Sequence, residues 1–177
     1  MIKQQVILVD KNNRKIGIEE KTKAHKEGKL HRAFSIFVFN SRGKLLIQQR
    51  VKTKYHSGGL WTNTVCSHPK PNETYQQAIH RRLKQEMSFD CKLKRLFCFI
   101  YNTGFQNGLI ENEYDCVFIG NFDGKILPNS KEIMNYKWIS VKELKRDIIK
   151  NPKKYTIWLK IALKRIKYLQ IKELIKC

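Results

Sequence analysis

The chain has no run of about 18 consecutive apolar residues, so no segment of it is expected to cross a membrane as a helix. It also lacks CxxC pairs. The five cysteines are Cys66, Cys91, Cys98, Cys116 and Cys177, an odd number. With no signal peptide at MIKQQVILVD, this usage points to free thiols in a reducing cytoplasm. Cys177 is the last residue of the sequence and is not expected to open a prenylation box, which needs residues after its cysteine. Internal repeats and low-complexity tracts are absent. Acidic residues are scarce: 15 Asp and Glu against 36 Lys and Arg leave a formal charge of +21. A surface that basic attracts nucleic acid, an anionic membrane or a small anionic substrate. Arginine is scarce too, since 27 of the 36 basic residues are Lys. Specific phosphate and base recognition favours the bidentate fork of Arg, and no RNP, KH or zinc-finger pattern accompanies the charge. Steering of a phosphorylated small molecule is therefore expected ahead of nucleic-acid binding.

What is present suits one ordered domain over residues 1–177, acting as a monomer. Hydrophobic residues make up 41%, far from the composition of a disordered chain. Apolar QVILV at 5–9 and residues 16–19 predict a first hairpin around polar DKNNRK. Residues 20–31 are polar and read by default as a solvated loop carrying His25 and His31. From 32 to 50 two β-rich runs flank Asn40-Ser41-Arg42-Gly43, a hairpin with Gly where a positive φ is useful. The loop VKTKYHSGG holds Lys52, Lys54 and His56, and fits either a plain surface crossing or an anion-binding loop. Arg50 at its start favours the second.

Residues 60–90 concentrate chemical potential. If the segment up to His68 is extended, Cys66 and His68 share one face. Ala78, Ile79, Leu83 and Met87 recur at helical spacing and predict an amphipathic helix over 74–87, with Asn72 as its N-cap. Arg82 and Glu86, four apart on it, make either a surface ion pair or a metal carboxylate beside a phosphate-binding guanidinium. Runs at 92–101 and 109–119 predict two long strands joined by NTGFQNG. Glu111 and Glu113 share a face of the second, which is unfavourable inside a protein unless they meet something positive. A short element ending in a strand, EIMNYKWIS, precedes a helix VKELKRDIIK capped by Ser140. A last helix is expected over 153–172 with Trp158, Ile161, Ala162, Ile166 and Leu169 on one face, Trp158 by default packing in the core.

Three imidazoles, His25, His31 and His68, with Glu111 and Glu113 form an N and O donor set suited to one divalent transition metal, Zn²⁺ or Mn²⁺. Glu86 with Lys21, Arg50, Lys54 and Arg82 suits Mg²⁺ bridging to a diphosphate. Spacing alone does not bring these residues together. The order Lys21, His25, His31, WTNTVCSHP at 61–69, RRLKQE at 81–86, ENE at 111–113 and Trp158 resembles the type 1 isopentenyl-diphosphate isomerases over nearly the whole chain. The resemblance implies a Nudix-like α+β fold: a mixed β-sheet core flanked by helices, with additional N-terminal β elements and a C-terminal helix. It implies interconversion of isopentenyl and dimethylallyl diphosphate by a 1,3-proton shift. Carried onto this chain, Cys66 and Glu113 become the two proton-transfer groups. Tyr101 assists by hydrogen bonding, Trp158 stabilises a carbocation, and Glu113 doubles as a metal ligand.

The resemblance to the Nudix box GX5EX7REUXEEXGU is partial. Glu73, Arg81, Leu83 and Glu86 fit, but Arg82 and Gln85 replace acidic positions, and Ser67 and Ser88 replace glycines. Depletion of metal carboxylates argues against a Nudix hydrolase of a diphosphate-containing substrate, the alternative enzyme reading. A basic binding module, with salt-dependent nucleic-acid affinity and no metal, is the other alternative.

Overall fold

A computed structural model describes residues 4–166. Its organising element is β3 (His31–Phe39), nine residues that are nearly all buried. β8 (Ile110–Asn121) runs parallel along one edge of β3 for its full length, from His31 opposite Glu113 to Phe39 opposite Asn121. The other edge is shared by β1 (Gln5–Val9) at His31, β6 (Val65–Ser67) at Phe34 to Ile36, and β4 (Lys44–Arg50) at Phe39. β2 (Lys15–Glu20) extends the sheet beyond β1. β7 (Leu93–Gly104) pairs antiparallel with β8, β9 (Ile133–Ser140) with β4, and the two-residue β5 (Trp61–Thr62) also with β4. One parallel pair in an otherwise antiparallel sheet makes it mixed.

Alternation along β3 supplies two cores. Phe37 and Phe39 pack with Leu45, Ile47, Trp158, Leu159 and Ala162, under α3 (Val141–Lys150) and α4 (Ile157–Arg165). Phe34, Ile36 and Val38 face the other way, onto Ala78, Ile79 and Leu83 of α2 (Tyr75–Met87). Helices thus cover both faces of the sheet, the expected α+β arrangement.

Several local expectations change. Residues 21–26 are a short helix, α1 (Lys21–Lys26), with Ala24 and His25 fully buried. Six residues hold too little periodicity to reveal it. α2 is capped by Thr74 rather than Asn72: its hydroxyl accepts from Gln77 N–H, and the Gln77 side chain returns to the Thr74 amide. Ser88 ends α2 at φ 58°, so the position where the Nudix box has glycine keeps a left-handed turn with serine in it. Ser140 caps α3 as expected, with Glu143 completing the box. A 3₁₀ turn (Pro152–Lys154) delays the last helix to Ile157, and its continuation through Leu169 to residue 172 lies outside the described residues.

The free-thiol expectation is corrected at two positions. Cys98 and Cys116 face each other across the β7–β8 ladder, their Cα atoms 4.1 Å apart, and form a disulfide. A separation of 18 residues hides a pairing that strand register makes direct. Cys66 and Cys91 are free, while Cys177 lies outside the described residues. Among the described residues no helix is long and apolar enough to cross a membrane.

Candidate active site and metal centre

β3 and β4 share a single pair of residues, and β5 and β6 are wedged between them where they part. The TNT of WTNTVC holds that wedge in place, because each side chain is buried and hydrogen-bonded. Asn63 Nδ2 donates to the carbonyls of Ile36 (3.1 Å) and Val65 (2.6 Å). Thr64 Oγ1 donates to the Leu46 carbonyl (2.7 Å) and accepts from the Val38 amide (2.9 Å). Thr62 Oγ1 accepts from Trp158 Nε1 (2.8 Å), which ties α4 to the wedge. Cys66 is thereby fixed opposite Ser35 on one edge of β3, while Glu113 is fixed opposite His31 on the other.

A cavity of about 100 Å³ opens between these edges, lined by Cys66, Glu111, Glu113, His68, Trp158 and the cations Lys21, Arg50, Lys54 and Arg82. A larger space of about 500 Å³ adjoins it, sharing Lys21, Ser67, His68 and Arg82. The structure therefore brings nearly all the residues singled out from sequence to one place. Glu86 stands apart. It does not line the cavity; Arg82 Nη2 donates to its Oε1 at 2.5 Å and Gln48 Nε2 to its Oε2 at 2.9 Å. The Arg82–Glu86 pair is real but buried, not the surface pair of the simpler reading.

Four cations converge on the cavity, whose lining also carries the carboxylates Glu111, Glu113 and Glu132. Lys21 sits 4.5 Å from the centre of the Tyr55 ring, and its ammonium is pushed down to about 8 by burial, then by Lys54 and Arg50. Lys54 and Arg82 both pair with Glu132. Arg50 lies 5.5 Å from the Trp158 ring, and its Nη1 donates to Cys66 Sγ at 3.6 Å. Burial pushes the Cys66 thiol up to about 12 even with Arg50 beside it.

The histidines and glutamates meet at the cavity wall, which His68, Glu111 and Glu113 line and His25 and His31 do not. His25 Nδ1 donates to the Lys21 carbonyl (2.7 Å) and His31 Nδ1 to the Lys29 carbonyl (2.8 Å), so each ring turns an Nε2 lone pair inward. One donor atom from each of His25, His31, His68 and Glu113 lies within 4.8 Å of the others. His25, His56 and Glu111 form a second such group. His31 Nε2 is buried with no hydrogen-bond partner, and His68 Nε2 is 2.9 Å from Glu113 Oε1. Burial holds His25 down at about 4 and His68 at about 3, leaving the neutral, ligating form of imidazole. Burial alone would raise Glu113, but His31 and His68 outweigh it and hold its carboxyl well below the usual range. Glu111 is raised by burial and by Glu113 beside it. Tyr101 Oη lies 2.6 Å from Glu113 Oε2 and 3.0 Å from Glu111 Oε2. Convergent neutral imidazoles, carboxylates and an unsatisfied buried nitrogen are what a divalent metal requires.

Sequence reasoning missed three participants. His56 was grouped with an anion-binding loop, yet it is 6% exposed and its Nε2 is 3.1 Å from Glu111 Oε1. Burial pushes it down to about 2, with Arg50 next. Tyr55 Oη lies 3.4 Å from His25 Nε2. Glu132 lines the cavity from just before β9, where its carbonyl accepts from the Val51 amide, a long-range pairing that no local pattern announces.

The NUDIX domain family matches residues 29–159. Isopentenyl-diphosphate Delta-isomerase 2 of Aromatoleum aromaticum is 50% identical over 93% of this chain and 87% of its own length. The protein of the same name from Photorhabdus laumondii is 48% identical over 95% of both chains. A solved structure from Deinococcus radiodurans superposes with a TM-score of 0.77 at 20% identity, covering 92% of this chain and 98% of that one, which shows a common fold. Fold, box and identity over nearly full length agree with the cavity's chemistry, and the chain belongs to the isopentenyl-diphosphate Delta-isomerase family of NUDIX-domain proteins.

Proposed function

We infer that the protein interconverts isopentenyl diphosphate and dimethylallyl diphosphate, with residues 1–177 acting as one domain and as a monomer. The observation that carries the reading is the delivery of Cys66 and Glu113 to one cavity from strands on opposite edges of β3. A 1,3-proton shift needs a proton added at the terminal alkene carbon and another removed two carbons away. The net proton count is unchanged, so two groups flanking the carbon skeleton suffice. Cys66 and Glu113 are those groups and exchange roles when the reaction reverses.

Lys21, Arg50, Lys54 and Arg82 hold the diphosphate, since four cations lining a small cavity match its charge. Mg²⁺ would accompany the diphosphate, with Glu86 as its protein carboxylate once an oxygen is released from Arg82 or Gln48. His25, His31, His68 and Glu113, with Glu111 from the adjoining group, would hold a transition metal, Mn²⁺ or Zn²⁺. When bound, that ion supplies a fixed positive charge beside Glu113 that tunes its acidity. Tyr101 keeps the Glu113 carboxylate oriented through the 2.6 Å hydrogen bond. The intermediate is a tertiary carbocation that water would capture. Trp158, 3% exposed and lining the cavity, screens it and offers a π face worth about 2 kcal/mol in a desolvated site.

Hydrolysis of a diphosphate is the weaker reading, because Arg82 and Gln85 stand where Nudix hydrolases place metal carboxylates. Cys66→Ala separates the two. Isomerisation is nearly abolished while the fold, followed by circular dichroism, stays intact; near-normal turnover in that variant removes Cys66 from the mechanism.

A further inference from the structure

Within the metal reading above, on which this step rests, the structure holds one imidazole that the five-residue ligand set leaves without a task. His56 lies on the loop between β4 and β5, and its side chain is almost wholly buried. Its ring is stacked on Phe105 at 4.8 Å between centroids and meets Trp158 edge-on at 6.0 Å. The backbone is pinned as well. Arg50 Nη2 donates to the His56 carbonyl at 3.3 Å, and Gly58 packs so tightly on the Lys52 carbonyl that a Cβ there would lie 2.4 Å from its oxygen. A buried ring held from both sides does not swing out to water.

The direction of its nitrogens is the informative part. Nδ1 lies 3.3 Å from Ser57 Oγ, which leaves Nε2 to face inward. There it comes within 3.1 Å of Glu111 Oε1 and yet has no hydrogen-bond partner. A donor pair would align. Two ligands of one ion instead sit side by side with both lone pairs aimed at a third point, about 3 Å apart for metal–ligand bonds of about 2.1 Å at a right angle. His68 Nε2 and Glu113 Oε1 stand at a similar 2.9 Å but within hydrogen-bond geometry, so the unpartnered contact is the one His56 makes. His56 also groups with His25 and Glu111 within ligand range, and His25 belongs equally to the group of His31, His68 and Glu113. An imidazole Nε2 has one lone pair and serves one ion, so His25 joins the two groups at a single centre. His56 then stands to that centre as Glu111 does.

We propose that His56 Nε2 is a further ligand of the divalent metal, making the donor set His25, His31, His56, His68, Glu111 and Glu113. Because His56 shares its loop with Lys54 and its carbonyl binds Arg50, the segment that reaches for the diphosphate is also anchored to the metal. Six donors would fill an octahedron, which requires the two groups, whose donor atoms do not all lie within 4.8 Å of one another, to draw together around the ion; that geometry suits Mn²⁺ better than tetrahedral Zn²⁺.

The test uses the full chain stripped of metal and titrated with Co²⁺, whose visible spectrum reports coordination number. His56→Phe keeps a ring between Phe105 and Trp158 but removes both nitrogens. The expected result is a loss of affinity greater than about 100-fold, beyond what outer-shell partners supply, with a stronger absorption marking one ligand fewer. His56→Gln, also lacking the imidazole, gives the same change and serves if the Phe variant does not fold. Wild-type affinity and spectrum in either variant overturn the assignment. So does a 10- to 100-fold loss with an unaltered spectrum, which makes His56 a support for Glu111 instead. His31→Ala separates the two levels. If wild type binds Co²⁺, His31→Ala does not and His56→Phe does, only the His56 assignment falls; if wild type fails to bind, the metal reading itself falls.

Discussion

Replacing Tyr101 by Phe removes one oxygen from the buried side of the site and leaves the packing of the ring in place. Tyr101 lies opposite Glu113 in the β7–β8 ladder and is 7% exposed. Burial and the charge of Glu113 raise its hydroxyl well above the usual range, so it remains a donor at any working pH. A hydroxyl has one proton, and the 2.6 Å contact to Glu113 rather than the 3.0 Å contact to Glu111 takes it. Hydrogen bonds to charged groups contribute about 1.5–3 kcal/mol, so if this one is fully expressed at the transition state its loss slows turnover roughly 10- to 150-fold. Glu113 keeps its contact with His68, so the fold survives, with a stability loss of about 1–2 kcal/mol and a Tm lower by roughly 2–8 °C. Tyr101 does not line the cavity, so the effect falls on kcat while KM changes little. Isomerase kinetics in both directions, with a melting curve on the same preparation, measure it. A kcat within about twofold of wild type in a folded variant refutes the claim that Tyr101 orients a reacting Glu113.

Two further outcomes follow from the same geometry. Trp158→Leu removes the π face and lowers kcat about 30-fold for ~2 kcal/mol of lost cation stabilisation, whereas Trp158→Phe retains most of it; equal rates for the two variants speak against a cation beside the indole. Lys21, pushed down to about 8, is charged below that pH and neutral above it, so affinity for the diphosphate falls as pH rises through 8. Calorimetric titration across that range checks it, and Lys21→Arg, which stays charged, abolishes the alkaline loss; a limb unchanged in that variant assigns it elsewhere.

The parts of this site legible in the sequence are those with a local signature. Glu111 and Glu113 announce themselves by period-two spacing in an apolar strand, whereas the TNT preceding Val65 and Cys66 stands out in the sequence only within the family motif, and its burial as one polar unit is a property of the fold. Gly43, at φ 67°, closes the β3–β4 turn where a positive φ was expected. What stayed hidden depends on register or on the packing of short segments. Cys98 meets Cys116, and Glu132 reaches Lys54 and Arg82, only because distant strands align. The helix at 21–26 buries just Ala24 and His25, too few residues to show a face. His56 sits among Lys, Tyr, Ser and Gly, and its burial arises from Phe105 and Trp158, which are remote in the chain.

The central claim is proton transfer to and from carbon without loss of phosphate. Incubating the metal-loaded protein with isopentenyl diphosphate and Mg²⁺ in heavy water, and following the product by NMR, tests it most directly. Dimethylallyl diphosphate carrying deuterium in a methyl group is the expected product; release of inorganic phosphate, or recovery of unlabelled substrate, rules out proton transfer at carbon.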